Sequence, residues 1–90
     1  MLEGKIKIVN PLGLHARAAA QLVRLASSFK SSVKLRRTDN GVMADAKSIL
    51  SVLTLAASKG LELELKVEGE DESEAFQSIE KRFADGFGEI

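Results

Sequence analysis

The sequence predicts an α+β fold of two layers, with helices laid on one face of a four-stranded sheet. Three observations carry this. Ninety residues suffice for one hydrophobic core and are too few for two, so residues 1–90 are expected to form a single domain. Their apolar pattern switches between a two-residue and a 3.6-residue period, in the order β-α-β-β-α-β-α. A content of 44% hydrophobic and 29% charged residues is that of a globular chain rather than a disordered one. Right-handed crossovers limit the topologies but leave the strand order open.

The elements follow in chain order. "KIKIV", residues 5–9, alternates, with Ile6 and Ile8 on one face and Lys5 and Lys7 on the other, and "NPLG" breaks it. From Ala16 the period becomes helical: Ala18, Leu22, Leu25 and Phe29 form a stripe, and Gln21 and Arg24 lie off it. "SVKLRR" alternates through Val33 and Leu35. "TDNG" signals a hairpin, and a short strand through Val42, Ala44 and Ala46 returns. Ser48 precedes "ILSVLTLAA", expected to be a second helix stopped by Gly60. "LELELKV" points Leu61, Leu63, Leu65 and Val67 inward. A third helix begins in "GEDESEAF", where Asp71 and Glu74 have capping-box spacing and Ala75, Phe76, Ile79 and Phe83 make the buried face.

Composition narrows the function. No apolar run approaches the ~20 residues of a membrane span and no leader pattern is present, so a cytoplasmic location and no membrane association are expected. With no cysteine and one histidine, disulfides, thiol catalysis and a metal centre are not expected, and no cofactor is implied. The zero net charge hides an asymmetry. Residues 1–59 hold ten Lys/Arg against three Asp/Glu, and residues 60–90 hold three against ten. A basic half suits an anionic ligand or acidic partner. Nucleic acid is disfavoured: the chain has no Trp or Tyr, and of its four Phe two have core spacing, so stacking platforms are missing.

"NPLGLHARAAAQL", residues 10–22, holds the one histidine and the one proline. His15 falls at the N-cap or first turn of the first helix, where backbone N–H groups lack partners and the dipole favours negative charge. Arg17 follows two residues on, and its planar cationic fork suits phosphate. Gly13 lets the chain turn tightly before the site. The residues alone admit two readings: a loop histidine of no consequence, or one that binds or covalently accepts a phosphoryl group.

"GLHARAA" resembles the active-site segment of the HPr phosphocarriers of the bacterial phosphoenolpyruvate-dependent sugar phosphotransferase system. "AKSILSVLTLAASKG" is similar to the family's second signature, and the likeness covers essentially the whole chain. It implies an open-faced β-sandwich of four antiparallel strands with three helices on one face. It also implies a stoichiometric carrier rather than an enzyme. His15 would take a phosphoryl group on Nδ1 from enzyme I and pass it to a sugar-specific acceptor, with Arg17 holding the group. Ala18 departs from the family's usual proline, which touches the rigidity of the site and not its chemistry.

Ser48 reads as an N-cap on its own chemistry, worth about 1 kcal/mol. The resemblance adds a regulatory phosphorylation site for a dedicated kinase and phosphorylase. Ile49, Leu50, Val52, Leu53, Leu55, Ala56 and Ala57 spread apolar character around more than one helix face, and one sheet can bury only a stripe of it. By resemblance Ile49, Leu50 and Leu53 form the patch that meets enzyme I and the acceptors, with Ala16, Ala20 and Gln21 beside it and Arg24, Lys47 and Lys59 as a basic rim. A monomer is expected. The alternatives are a nitrogen-branch paralogue with identical chemistry, and a small ligand- or RNA-binding regulatory domain.

Overall fold

The computed structural model describes residues 1–89. Four strands, β1 (Leu2–Lys7), β2 (Ser32–Arg37), β3 (Met43–Asp45) and β4 (Glu62–Glu68), form one antiparallel sheet in the order β1-β4-β2-β3. Helices α1 (Ala16–Ser27), α2 (Ile49–Leu53) and α3 (Glu72–Ala84) follow the first, third and fourth strands, and a single 3-10 turn covers Gly86–Gly88. This is the open-faced sandwich that the resemblance implies. The strand order, which periodicity leaves open, puts the strand formed last in the chain between the first two.

Alternation decides which face is covered. Ile6, Val33, Leu35, Ala44, Leu63, Leu65 and Val67 point to the helices and are buried with Ala18, Leu22, Val52, Ile79 and Phe83. One row across the sheet reads Gly4–Leu65–Leu35–Ala44. At Gly4 a side chain would meet the ring of Phe76, so the missing Cβ makes room for α3 to lie over β1. Phe76 itself is half-buried rather than fully buried. The open face carries charged rows instead, Lys5–Glu64–Arg36 and Glu3–Lys66–Lys34–Asp45. Glu64 accepts from Arg36 Nε at 3.2 Å and lies 3.6 Å from Lys66 Nζ. The two oppositely charged parts of the sequence are therefore interleaved in space, acidic β4 between basic β1 and β2.

Three expectations need correcting. The first strand runs over Leu2–Lys7 rather than 5–9. Ile8 is buried beyond it, its backbone paired with Gly60 and Leu61. The second helix ends at Leu53 and not near Gly60. Past Thr54 the chain passes through Ala56 at φ 48°, which buries Leu55 and Ala57 by a path no helix could take. Gly60, at φ 91°, serves the turn into β4. The capping box at Asp71 does not form. Its carboxylate faces away from α3 and accepts from the Lys30 and Ser31 N–H groups at 2.8 and 2.9 Å and from Ser31 Oγ. The Glu72 side chain accepts from Gly69 N–H at 3.2 Å, ahead of the helix.

Candidate functional site

The loop between β1 and α1 is shaped by its own residues. Asn10 is fully buried; its carbonyl accepts from Gly13 N–H at 3.2 Å and its Nδ2 donates to the Gly13 carbonyl at 2.8 Å. Gly13 has φ 66°, and a Cβ there would overlap the Ala57 carbonyl and press on Ser58. Leu14 N–H then donates to that same carbonyl at 2.9 Å. The segment after α2 is thus the wall against which the loop is set, and glycine is required twice over, by conformation and by contact.

His15 emerges from this loop as the N-cap of α1, with φ −73° and ψ 177° and no side-chain cap of its own. Its carbonyl accepts the first helical bond, from Ala19 N–H at 2.8 Å. The N–H groups of Ala16, Arg17 and Ala18 lie in the first turn, where no intrahelical acceptor exists, and their dipoles sum toward positive charge at this end. No acidic residue occupies that turn. Arg17 is exposed, and among the described residues it forms no ion pair and no side-chain hydrogen bond. It lines an open groove of about 500 Å³ with Pro11, Leu12, Gln21, Phe87, Gly88 and Glu89. A histidine, a free guanidinium and unpaired backbone donors at one helix end can accommodate a tetrahedral anion.

The imidazole has a partner that sequence reading does not reveal. His15 Nε2 bonds to the Glu89 carboxylate, and the two side chains are 24% and 10% exposed. Glu89 also accepts from Asn10 Nδ2 at 3.3 Å and from Leu12 N–H at 3.4 Å. The bond to His15 is the chief reason its pKa lies below the usual glutamate range. Glu89 and His15 are 74 positions apart, so no local pattern joins them. The one local signal is "GFG", which marks a tight turn after α3 but not where the next carboxylate lands.

The remaining expected residues fall on one side or the other of exposure. Leu50 is 74% exposed, with Ile49 and Leu53 also at the surface, while Val52 on the same helix is buried. Ser48 is the N-cap of α2, its side chain accepting from Ser51 N–H at 3.4 Å. Ala16 and Arg24 are exposed and Ala20 is half-buried; Gln21 Oε1 accepts from Arg82 at 3.4 Å. Lys47 is not a free rim cation: its Nζ donates to the Phe29 carbonyl at 2.9 Å, tying the segment before α2 to the end of α1. Among the described residues no three His, Asp or Glu side chains converge as a metal ion would require.

Residues 2–85 match the family model described as "PTS HPr component phosphorylation site". The chain belongs to the HPr family. It is 47% identical over 89 residues to the phosphocarrier protein HPr of Cupriavidus necator, covering 99% of this chain and 98% of that one. The HPr of Xylella fastidiosa is 43% identical over the same length and coverage. Among solved structures, HPr-C-His from Thermoanaerobacter tengcongensis superposes with a TM-score of 0.92 at 38% identity, covering 100% of this chain and 99% of that one. Crh of Bacillus subtilis, described as a domain-swapped dimer, gives 0.73 at 35% identity, covering 96% and 97%. This HPr-family chain is accordingly a phosphocarrier protein of the phosphotransferase system, and no helix of its described residues is long and apolar enough to cross a membrane.

Proposed function

We propose that His15 is the phosphoryl acceptor of this carrier, taking the group from phosphorylated enzyme I on Nδ1 and passing it to a sugar-specific acceptor. The observation that carries the reading is His15 at the N-cap of α1, with one ring nitrogen engaged by Glu89 and with Arg17, two residues on, unpaired among the described residues. The N–H groups of the first turn and the Arg17 fork would bear the phosphoryl oxygens, stabilising charge where it develops during transfer. The protein would act as a stoichiometric carrier rather than a catalyst, as one domain over residues 1–90 and in the cytoplasm. Since His15, Arg17 and Glu89 belong to one chain, a monomer would suffice. Exposed Ile49, Leu50 and Leu53 with Arg24 and Lys59 would meet partners, with Ala16, Ala20 and Gln21 at the edge. Phosphorylation of Ser48 would add about −1.5 to −2 charges beside that patch and oppose docking.

The test is transfer of label from phosphoenolpyruvate in the presence of enzyme I. The wild type takes an acid-labile, alkali-stable label, and His15→Ala takes none while remaining folded. Acceptance by His15→Ala would end the reading. Offering the labelled protein to sugar-branch and nitrogen-branch acceptors separates the two relays, whose chemistry at His15 would be the same.

A further inference from the structure

We propose that Glu89 is a positioning residue for His15: its carboxylate holds the imidazole through the Nε2 proton, leaves Nδ1 as the bare nitrogen, and balances the charge the ring gains on phosphorylation. The inference rests on the carrier reading of His15.

The chemistry of the contact fixes the proton. An ionised carboxylate can only accept, so the bond from His15 to Glu89 requires Nε2 to donate. A neutral imidazole with its proton on Nε2 has its lone pair on Nδ1. Glu89 is kept ionised by the same bond, which lowers its pKa, with help from the Asn10 amide and Leu12 N–H.

The carboxylate is also fixed in place. Oε1 is bonded by Asn10 Nδ2 and Leu12 N–H, and Asn10 is fully buried and bonded to the Gly13 carbonyl. Glu89 is therefore referenced to the very loop that carries His15.

The backbone that delivers it is strained. Gly86, Phe87 and Gly88 have φ of 61°, 54° and 80°, three successive left-handed residues of which the middle one is a phenylalanine. A bulky residue in that region persists only where its surroundings over-determine it. They do so here: Phe87 is buried, its ring edge-on to Phe83 at 5.0 Å. The reversal turns the chain after α3 back across the groove and sets Glu89 on the ring.

The transfer step shows what the carboxylate contributes. The Nδ1 lone pair forms the new N–P bond as the bond from phosphorus to the donor breaks, and that electron pair leaves with the donor. The Nε2 proton stays in place, so the ring becomes an imidazolium with Glu89 as its counter-ion. On onward transfer the N–P electrons return to Nδ1 and the ring is neutral again. This is the orienting and charge-balancing role of a triad carboxylate on its histidine. Free histidine already favours the proton on Nε2, so orientation and charge outweigh tautomer choice.

Two measurements test it in the intact protein. Ring 15N spectra in mildly alkaline solution report the tautomer and the Nε2 hydrogen bond, and single-turnover kinetics with phosphorylated enzyme I report transfer. Wild type is expected to show one ordered Nε2–H form. Glu89→Ala should shift the ring signals toward those of free histidine and slow acceptance by roughly tenfold or more at saturating donor, as loss of a charge-assisted bond would. Glu89→Gln keeps an acceptor oxygen without the charge, and should hold the tautomer yet transfer at an intermediate rate. Unchanged ring signals or an unchanged saturating rate in Glu89→Ala would overturn the role of Glu89, as would a loss confined to donor affinity. A wild-type protein that takes no label overturns the carrier reading itself, and the ring spectra then still report whether the contact exists.

Discussion

Arg17 shares the first turn of α1 with two other free backbone donors, yet its side chain has no partner of its own among the described residues. A permanently charged fork left unpaired beside an uncapped helix end is available for an incoming anion. Arg17→Ala is expected to slow phosphoryl transfer by about tenfold or more, with less effect on enzyme I affinity, since charge-assisted bonds are worth about 1.5–3 kcal/mol. Rates at saturating donor, compared with dissociation constants, decide this; a loss wholly in affinity would make Arg17 a docking residue. Its neighbour Ala18 is buried, and its N–H lies in the turn where no intrahelical acceptor exists. Ala18→Pro should therefore raise stability by about 0.4–1 kcal/mol, read as a shift in denaturant midpoint, where the backbone already has a compatible φ. These positions were legible in the sequence because the cues are local: a glycine, a histidine and the onset of a 3.6-residue period. Glu89 and Asn10 were not. Both act across contacts between distant segments, and an isolated glutamate or asparagine carries no mark of its eventual partner.

Helix α2 shows where periodicity misleads at the scale of an element. Nine apolar or small residues in succession read as a helix over 49–57, but the regular helix stops after five. Burial of Val52, Leu55 and Ala57 sets the path, and the Ala57 carbonyl is turned toward Leu14 rather than along a helix axis. What the pattern did convey was surplus: one element cannot bury Ile49, Leu50 and Leu53 as well. Leu50→Glu is accordingly expected to change stability by no more than about 0.5 kcal/mol, as exposed substitutions do. Val52→Ala should cost on the order of 1–3 kcal/mol, the range of buried truncations that remove one or two methyl groups. Thermal melts of the two variants give the comparison, and a large loss in Leu50→Glu would mean the patch is part of the core. Ser48→Asp keeps a good N-cap and adds charge at the favourable end, so it should leave the melt unchanged or slightly higher while weakening association with enzyme I. Normal association of that variant would leave Ser48 as a cap alone.

Across the whole molecule, Asp71 joins the start of α3 to the residues leading into β2 through the Lys30 and Ser31 N–H groups and Ser31 Oγ. Those bonds hold its pKa at about 2, below the ordinary 3.8, with the Ser31 hydroxyl the largest cause. A carboxylate with a depressed folded pKa stabilises the fold fully above its unfolded value, and the contribution disappears as pH falls through the folded one. Melting temperature should thus decline between those two values in the wild type and decline less in Asp71→Asn, which begins lower at neutral pH; parallel acid limbs would assign the acid sensitivity elsewhere. The fold class and the faces of the elements were legible because alternation and helical period each mark a buried side. Strand order was not, because an alternating strand fits equally well beside any neighbour of the right hand. That order also bears on how the chain can be made. β1 pairs with β4 alone, and β2 has β4 on one side, so the middle of the sheet is supplied by residues 62–68. A nascent chain that has released only its first sixty residues holds a β1 without a partner and an α1 that α3 does not yet cover. The β2–β3 hairpin can pair locally, but loop closure over that span must precede any reward from pairing β1, which makes completion of the sheet a late event. Until β4 leaves the ribosome, the strand leading into the His15 loop has nothing to pair with.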